Sequence, residues 1–154
     1  MKIVRGKIYG SGKRAVIVVA RRNEQVVKGL LDGAAGELIR SGMEENDITV
    51  YEVPGAWEIA GCVEKLIKAS SYDMIICLGA VIRGDTPHFE YVSSQVARTV
   101  AEEGLKSEYP VSFGVLTCDS LEQALERSGG KSGNKGEEAA RAALEMSDIY
   151  TNIH

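Results

Sequence analysis

The stretch MIICLGAVIRGDTPHFEY, Met74 to Tyr91, decides how the chain folds. Its opening Met74-Ile75-Ile76-Cys77-Leu78 is apolar without alternation, which marks a strand buried on both faces, expected over 74–82. Beyond the polar middle, Phe89, Val92, Val96 and Val100 recur at helical spacing and predict an amphipathic helix. Thr86 is expected to cap that helix and Pro87 to take its first position. His88 then falls in the first turn. Free N–H groups at a helix start attract an anion. The same positive end disfavours a charged imidazole, so His88 is expected to be neutral and able to accept a proton. Taken alone, the stretch fits an anion cradle beside a base and a plain strand–helix connection equally well.

The alternation continues in both directions. Ala15 to Ala20, AVIVVA, reads as a buried strand. Arg21-Arg22-Asn23 ends it, and Asn23 is expected to cap a helix over 24–41 that Gly42 closes. A second strand is expected over 47–53. Pro54-Gly55 breaks it, and a helix follows over 56–69. Residues 111–117 form the next strand, and Asp119 or Ser120 caps a short helix ending at Arg127. SGGKSGNKG, residues 128–136, reads as a tight helix–helix connector before a last helix from Glu137 to about Tyr150. Four strand–helix alternations predict a three-layer α/β/α domain spanning residues 1–154, with a four-stranded parallel, flavodoxin-like sheet. Residues 1–12, with Ile3 and Ile8 in alternation, lie outside that pattern and suit an extra edge strand.

Composition narrows the function. A net charge of −4, with no Lys/Arg run longer than two, argues against nucleic acid and anionic membrane as partners. No apolar run approaches the roughly 20 residues of a membrane helix. Three cysteines without a CxxC predict free thiols and a cytoplasmic setting. His88 and His154 stand far apart and no Cys/His cluster exists, so no metal is expected.

Ligands of such sheets bind beyond the carboxyl ends of the strands. The unusual residues collect there: Arg21-Arg22-Asn23, then Pro54 to Glu58, then Ile82 to His88, then Thr117-Cys118-Asp119. In VPGAWE, Trp57 and Glu58 fit either a core Trp with a dipole-favoured carboxylate or a lip for a ring and a polyol. Arg127 suits either the dipole at its helix end or a bidentate phosphate clamp. Phe113 reads as a core residue. Lys131 and Lys135 are expected in solvent or in the service of a neighbouring subunit. GGKSGNKG is not a phosphate loop, since Leu125 stands where the first glycine belongs and a helix precedes it. Cys118 beside Asp119 lacks a close histidine, which makes it a poor nucleophile.

Taken together, GAVIRGDTPHFEYV, VPGAWEI, FGVLTCDSLEQALERSG and GKSGNKGEEAA resemble the lumazine synthase family of riboflavin biosynthesis. The resemblance covers nearly the whole chain, with the blocks in the family's order and spacing. It implies condensation of 5-amino-6-(D-ribitylamino)uracil with 3,4-dihydroxy-2-butanone 4-phosphate, giving 6,7-dimethyl-8-ribityllumazine and phosphate without metal or redox cofactor. It implies that Arg22, Asn23, Ala56, Trp57 and Glu58 hold the ribityl chain and flank the ring. Ala80, Val81 and Ile82 would face the pyrimidine. Asp85 and Thr86, with Arg127, would hold the phosphate, and His88 would transfer protons. Phe113 would close the pocket from an adjacent subunit. Arg22 stands where the family usually has an aromatic residue, and Asp85 where a small one is common.

The family's unit is a pentamer, and the short GGKSG connector resembles members that close twelve pentamers into a 60-subunit shell. The resemblance implies an N-terminal strand shared with a neighbour and a functional link to riboflavin synthase. Three function classes follow from the residues: this transferase, a flavin- or lumazine-binding cage with weak catalysis, and a flavodoxin-like domain without ribityl specificity.

Overall fold

The computed structural model describes residues 1–69 and 71–154. Its main sheet has four parallel strands: β1 (Ala15–Ala20), β2 (Ile48–Val53), β3 (Met74–Ile82) and β4 (Val111–Cys118), in the spatial order β2-β1-β3-β4. The helices are α1 (Glu24–Arg40), α2 (Ile59–Ala69), α3 (His88–Lys106), α4 (Leu121–Glu126) and α5 (Lys135–Thr151).

The apolar runs are explained by burial on both sides. Successive side chains of a strand point to opposite faces. Ala15, Ile17 and Val19 enter one core with Val26, Leu30 and Leu38 of α1 and with Ala140, Ala143 and Leu144 of α5. Val16, Val18 and Ala20 enter the other, with Ile59 and Val63 of α2 and with Val96 and Val100 of α3. β3 divides likewise, Ile76 and Leu78 to the first core and Ile75 and Cys77 to the second.

The order of strands fixes where a ligand can sit. From β1 the chain crosses to β2 on one side; from β3 it crosses to β4 on the other. The helices α1 and α3 therefore leave on opposite faces of the sheet. A crevice opens between the carboxyl ends of β1 and β3, the position at which such sheets bind ligands.

Several local expectations are corrected. Asn23 does not cap α1 with its side chain; it sits in the left-handed region at φ 64°, and its Nδ2 donates instead to the Ala80 carbonyl at 3.0 Å. Pro87, not Thr86, occupies the cap position of α3, without a side-chain cap bond. Ala56–Glu58 is a 3-10 turn, so α2 proper begins at Ile59. The proposed connector over 128–136 contains an antiparallel hairpin, β5 (Ser128–Gly130) and β6 (Gly133–Asn134). Asn134 then caps α5 by accepting from the amides of Gly136 and Glu137. Its Nδ2 donates to the Gly29 carbonyl of α1 at 2.9 Å, docking the hairpin on that helix. Gly29 and Gly136 allow the approach, because a Cβ at either would strike the backbone of Ser128 or Leu30.

The N-terminal residues 1–14 form no strand in the single chain. Ile3, Val4 and Ile8 are exposed there, and so are Thr49 to Glu52 of the edge strand β2, which is not covered on both faces as expected. Ser120 does cap α4, accepting from the Gln123 amide at 3.2 Å.

Candidate active site

At the crevice between β1 and β3, Arg22, Asn23, Ala56, Ala80, Val81, Ile82, Thr86 and His88 all line a cavity of about 230 Å³. Each arrives by a different route. Arg22 and Asn23 follow β1, Ala56 follows β2, and Ala80 to Ile82 are the last residues of β3. The Asn23–Ala80 hydrogen bond ties the first loop to the third strand, so the floor of the cavity is braced. His88 begins α3 and is exposed, with open space around Gly84 in the loop before it.

A second cavity, of about 460 Å³, adjoins the first. Arg22, Ala56, His88 and Val92 border both, and Gly55, Trp57, Glu58 and Tyr91 complete the second. The two meet at these shared residues and form one trough. Trp57 is 61% exposed, so the core reading of that residue is wrong: its ring stands at the lip. At Gly55 a Cβ would come within 3.3 Å of Glu58 Oε2 and 3.9 Å of Arg22 Cζ. Both charged heads therefore lean over that glycine. Asp85, between Gly84 and Thr86, is exposed and borders neither cavity.

Phe113 and Arg127 are elsewhere. They line a third cavity of about 440 Å³ beside β4, together with Cys118, Gln123 and Lys135. No residue borders both this cavity and the trough. Phe113 is 43% exposed rather than in the core: β4 is a sheet edge, and although Val115 on the same face packs into the second core, the Phe113 ring stays at the open margin. Arg127 does satisfy its helix end, donating to the Gln123 carbonyl at 3.0 Å, yet it still reaches the cavity. Burial pushes the Cys118 thiol up, against the pull of the Arg127 guanidinium, which suits an inert thiol.

Some contributors carried no signal in the sequence. Phe89 and Val92 line the trough from the start of α3, and apolar spacing alone had placed them on its buried stripe. Arg83 is the other. Its guanidinium donates to Asp119 and Glu90 and lies over the Phe89 ring, beside the site but outside its walls. Among the described residues no group of three His, Cys, Asp or Glu side chains could hold a metal ion, and no helix is long and apolar enough to cross a membrane.

The arrangement has two halves. One offers an imidazole at a helix start, an indole and a carboxylate around a trough. The other offers two cations, Arg127 and Lys135, and an exposed ring. Comparison with known proteins identifies a family. The model of the 6,7-dimethyl-8-ribityllumazine synthase family matches residues 12–151. A protein of that name from Clostridium kluyveri is 52% identical over 153 residues, covering 99% of each chain. One from Syntrophus aciditrophicus is 48% identical over 151 residues, covering 98% of each. Another from Anaeromyxobacter dehalogenans is 47% identical over 153 residues, covering 99% of this chain and 94% of its own.

Proposed function

This chain belongs to the 6,7-dimethyl-8-ribityllumazine synthase family, and we propose that it carries out that reaction with a site built from two facing subunits. It is a transferase of riboflavin biosynthesis, joining 5-amino-6-(D-ribitylamino)uracil to 3,4-dihydroxy-2-butanone 4-phosphate. The observation that carries the two-subunit reading is the separation of Phe113 and Arg127 from the His88 trough.

The trough takes the ribitylaminouracil. Ala80, Val81 and Ile82 meet the pyrimidine through the end of β3, Trp57 and Arg22 flank the ring, and Glu58 receives hydroxyl groups of the ribityl chain. Asn23 braces this pocket. Thr86 and the loop from Gly84 hold the phosphate on one side, and Arg127 of the next subunit reaches it from the other. Asp85 points its charge into solvent, which is consistent with its exposure. A guanidinium on a phosphate forms charge-assisted, bidentate hydrogen bonds, which fix the substrate as well as attract it.

His88 moves protons. The ring amine adds to the ketone and the adduct loses water to give an imine; both steps need a proton taken from nitrogen and one delivered to oxygen. Loss of the proton from the hydroxyl-bearing carbon next to the imine then expels the held phosphate; the resulting enol becomes a ketone, on which the ribitylamino nitrogen closes the second ring with loss of another water. Much of the acceleration comes from holding two substrates in register. Accordingly His88→Ala slows turnover by about 10²-fold or less and does not abolish it. The test is direct: both substrates are mixed with the protein and product is followed by absorbance and fluorescence. Negligible turnover with tight riboflavin binding would replace the enzyme by a flavin-binding cage, and neither signal would leave only the fold.

The proposed assembly uses the same surfaces. A pentamer brings each Phe113–Arg127 face against a neighbour's trough, and twelve pentamers form a 60-subunit shell. The exposed edge of β2 accepts residues 1–12 of a neighbour as an added strand. A pentamer mass by light scattering at physiological salt would remove the shell. Riboflavin synthase, which uses the product, is the functional partner.

A further inference from the structure

Resting on the two-subunit reading above, we propose that Arg83 is a positioning residue that holds the His88 half-site and the Arg127 half-site of one chain in fixed relation. Arg83 is the first residue past β3, and its amide donates to the Cys118 carbonyl at 2.9 Å, extending the pairing with β4 by one position. Its side chain reaches two segments at once. Nε donates to Asp119 Oδ1 at 2.8 Å, on the turn after β4. Another guanidinium nitrogen donates to Glu90 Oε1 at 3.2 Å, in the first turn of α3. The guanidinium carbon lies 4.6 Å from the centre of the Phe89 ring, next to His88.

The polar chain does not stop at Asp119. The Asp119 amide donates to Gln123 Oε1 at 2.8 Å, and the Gln123 carbonyl accepts from the Arg127 guanidinium at 3.0 Å. Contacts thus run unbroken from the residues following the imidazole to the cation on the other face. Among the described residues no other side-chain hydrogen bond joins 83–90 to 118–127. In a ring of subunits, these two half-sites belong to different active sites, so Arg83 sets the spacing between adjacent centres.

Arginine suits this task for a geometric reason. Its planar fork can face two carboxylates while its flat surface rests on a ring; an ammonium cannot do all three. With two carboxylates against it, Arg83 has no charge to spare for a substrate anion, and it lines neither half-site. Nearly half of its side chain is exposed, so each ion pair is screened and adds little to overall stability. Its contribution is in alignment, where small displacements cost much rate.

The test uses the assembled protein. In Arg83→Gln, kcat falls about tenfold or more while the melting temperature hardly moves. Amide hydrogen exchange quickens in both 84–90 and 119–127 and stays unchanged in 24–40. Arg83→Lys recovers less than half of the lost kcat. Asp119→Asn reproduces the loss, and the double variant is no worse than Arg83→Gln alone. Wild-type kcat in Arg83→Gln, quickened exchange confined to one segment, or additive losses in the double variant would each overturn the proposal. The exchange measurement needs no substrate, so failure of the assigned reaction in the wild-type protein would be seen separately.

Discussion

Two variants, each crippled, are expected to rescue one another. His88→Ala removes the proton carrier from the trough, and Arg127→Ala removes a cation from the cavity beside β4. The two cavities share no lining residue, and on the proposed two-subunit reading a complete site takes one from each of two chains. In a ring assembled at random from equal amounts of both variants, half the sites draw His88 from a subunit that has it. Half of those meet a neighbour that has Arg127. About one site in four is therefore intact. Co-expressed and purified through two different tags, the mixed particle should show about a quarter of wild-type turnover above the parents' residual rates. A companion mixture sharpens the result. The double variant His88→Ala/Arg127→Ala, mixed equally with wild type, leaves about a quarter of sites active if the halves come from different chains, and about half if they come from one. Both proteins should fold, since His88 is exposed and Arg127 contributes one hydrogen bond at a helix end. Turnover equal to the mean of the parents in the first mixture, and about half of wild type in the second, would refute the two-subunit site.

Three further expectations are simpler. Asn23→Ala loses the bond to the Ala80 carbonyl and forces a Cβ into the left-handed region, about 2 kcal/mol in all by thermal unfolding; Asn23→Gly relieves the backbone and should cost less, and equal losses would exclude the backbone term. If Arg22 stacks on the face of the substrate ring as proposed, Arg22→Ala loses about 1 kcal/mol, a fivefold rise in KM for the ribitylaminouracil; an unchanged KM would separate Arg22 from the ring. Cys77 is fully buried between α2, α3 and the sheet, and burial pushes its thiol above the ordinary value of 9.0. Below pH 9.0 both states keep the proton; above it the unfolded chain releases a proton that the folded chain retains, so stability falls as pH rises. Cys77→Ala should cost about 1 kcal/mol at pH 7, a gap that narrows above pH 9; a constant gap from pH 7 to 10 would exclude the thiol.

How much was legible in the sequence depended on what kind of contact decided each element. Strands β1 and β3 were legible to the residue, because double-sided burial leaves an unbroken apolar run. The parallel sheet followed from the strand–helix alternation, and with it a site at the carboxyl ends of the strands; the spatial order of the strands did not, because no local pattern encodes it. The side-chain caps expected at Asn23 and Thr86 are both absent: Pro87 takes the cap position of α3, and Asn23 bonds elsewhere. A residue of capping type is free to bond elsewhere, and for Asn23 the Ala80 carbonyl, 57 positions away, is the partner. The hairpin over 128–134 was missed because its pairing is short and glycine-rich, without the alternation that announces a strand. Trp57 and Phe113 were weighed as core residues because composition cannot distinguish an inward ring from one awaiting a neighbour. Arg83 was invisible for a related reason: its partners, Glu90 and Asp119, come together only when β3 and β4 end at the same level.

That last class of residue explains why the single chain looks unfinished. The substrate to be held carries a phosphate, and phosphate sites are built from cations. Of the basic side chains, the trough has Arg22 and the imidazole, against Glu58 at its lip and Asp85 nearby. The cavity beside β4 holds Arg127 and Lys135 with no substrate ring platform except Phe113. Each face thus has what the other lacks: one the base and the ring pocket, the other the charge. Trp57, Tyr91 and Phe113, all well exposed, border the same two faces. Exposed apolar patches rimmed by polar residues mark interaction surfaces. On the proposed two-subunit reading, burying these rings against a second copy removes apolar surface from water and, in the same step, brings the cations to the phosphate and excludes water from the imine. Assembly and catalysis therefore draw on one set of residues, and a change that blocks docking should lower turnover even where every group around His88 is left in place.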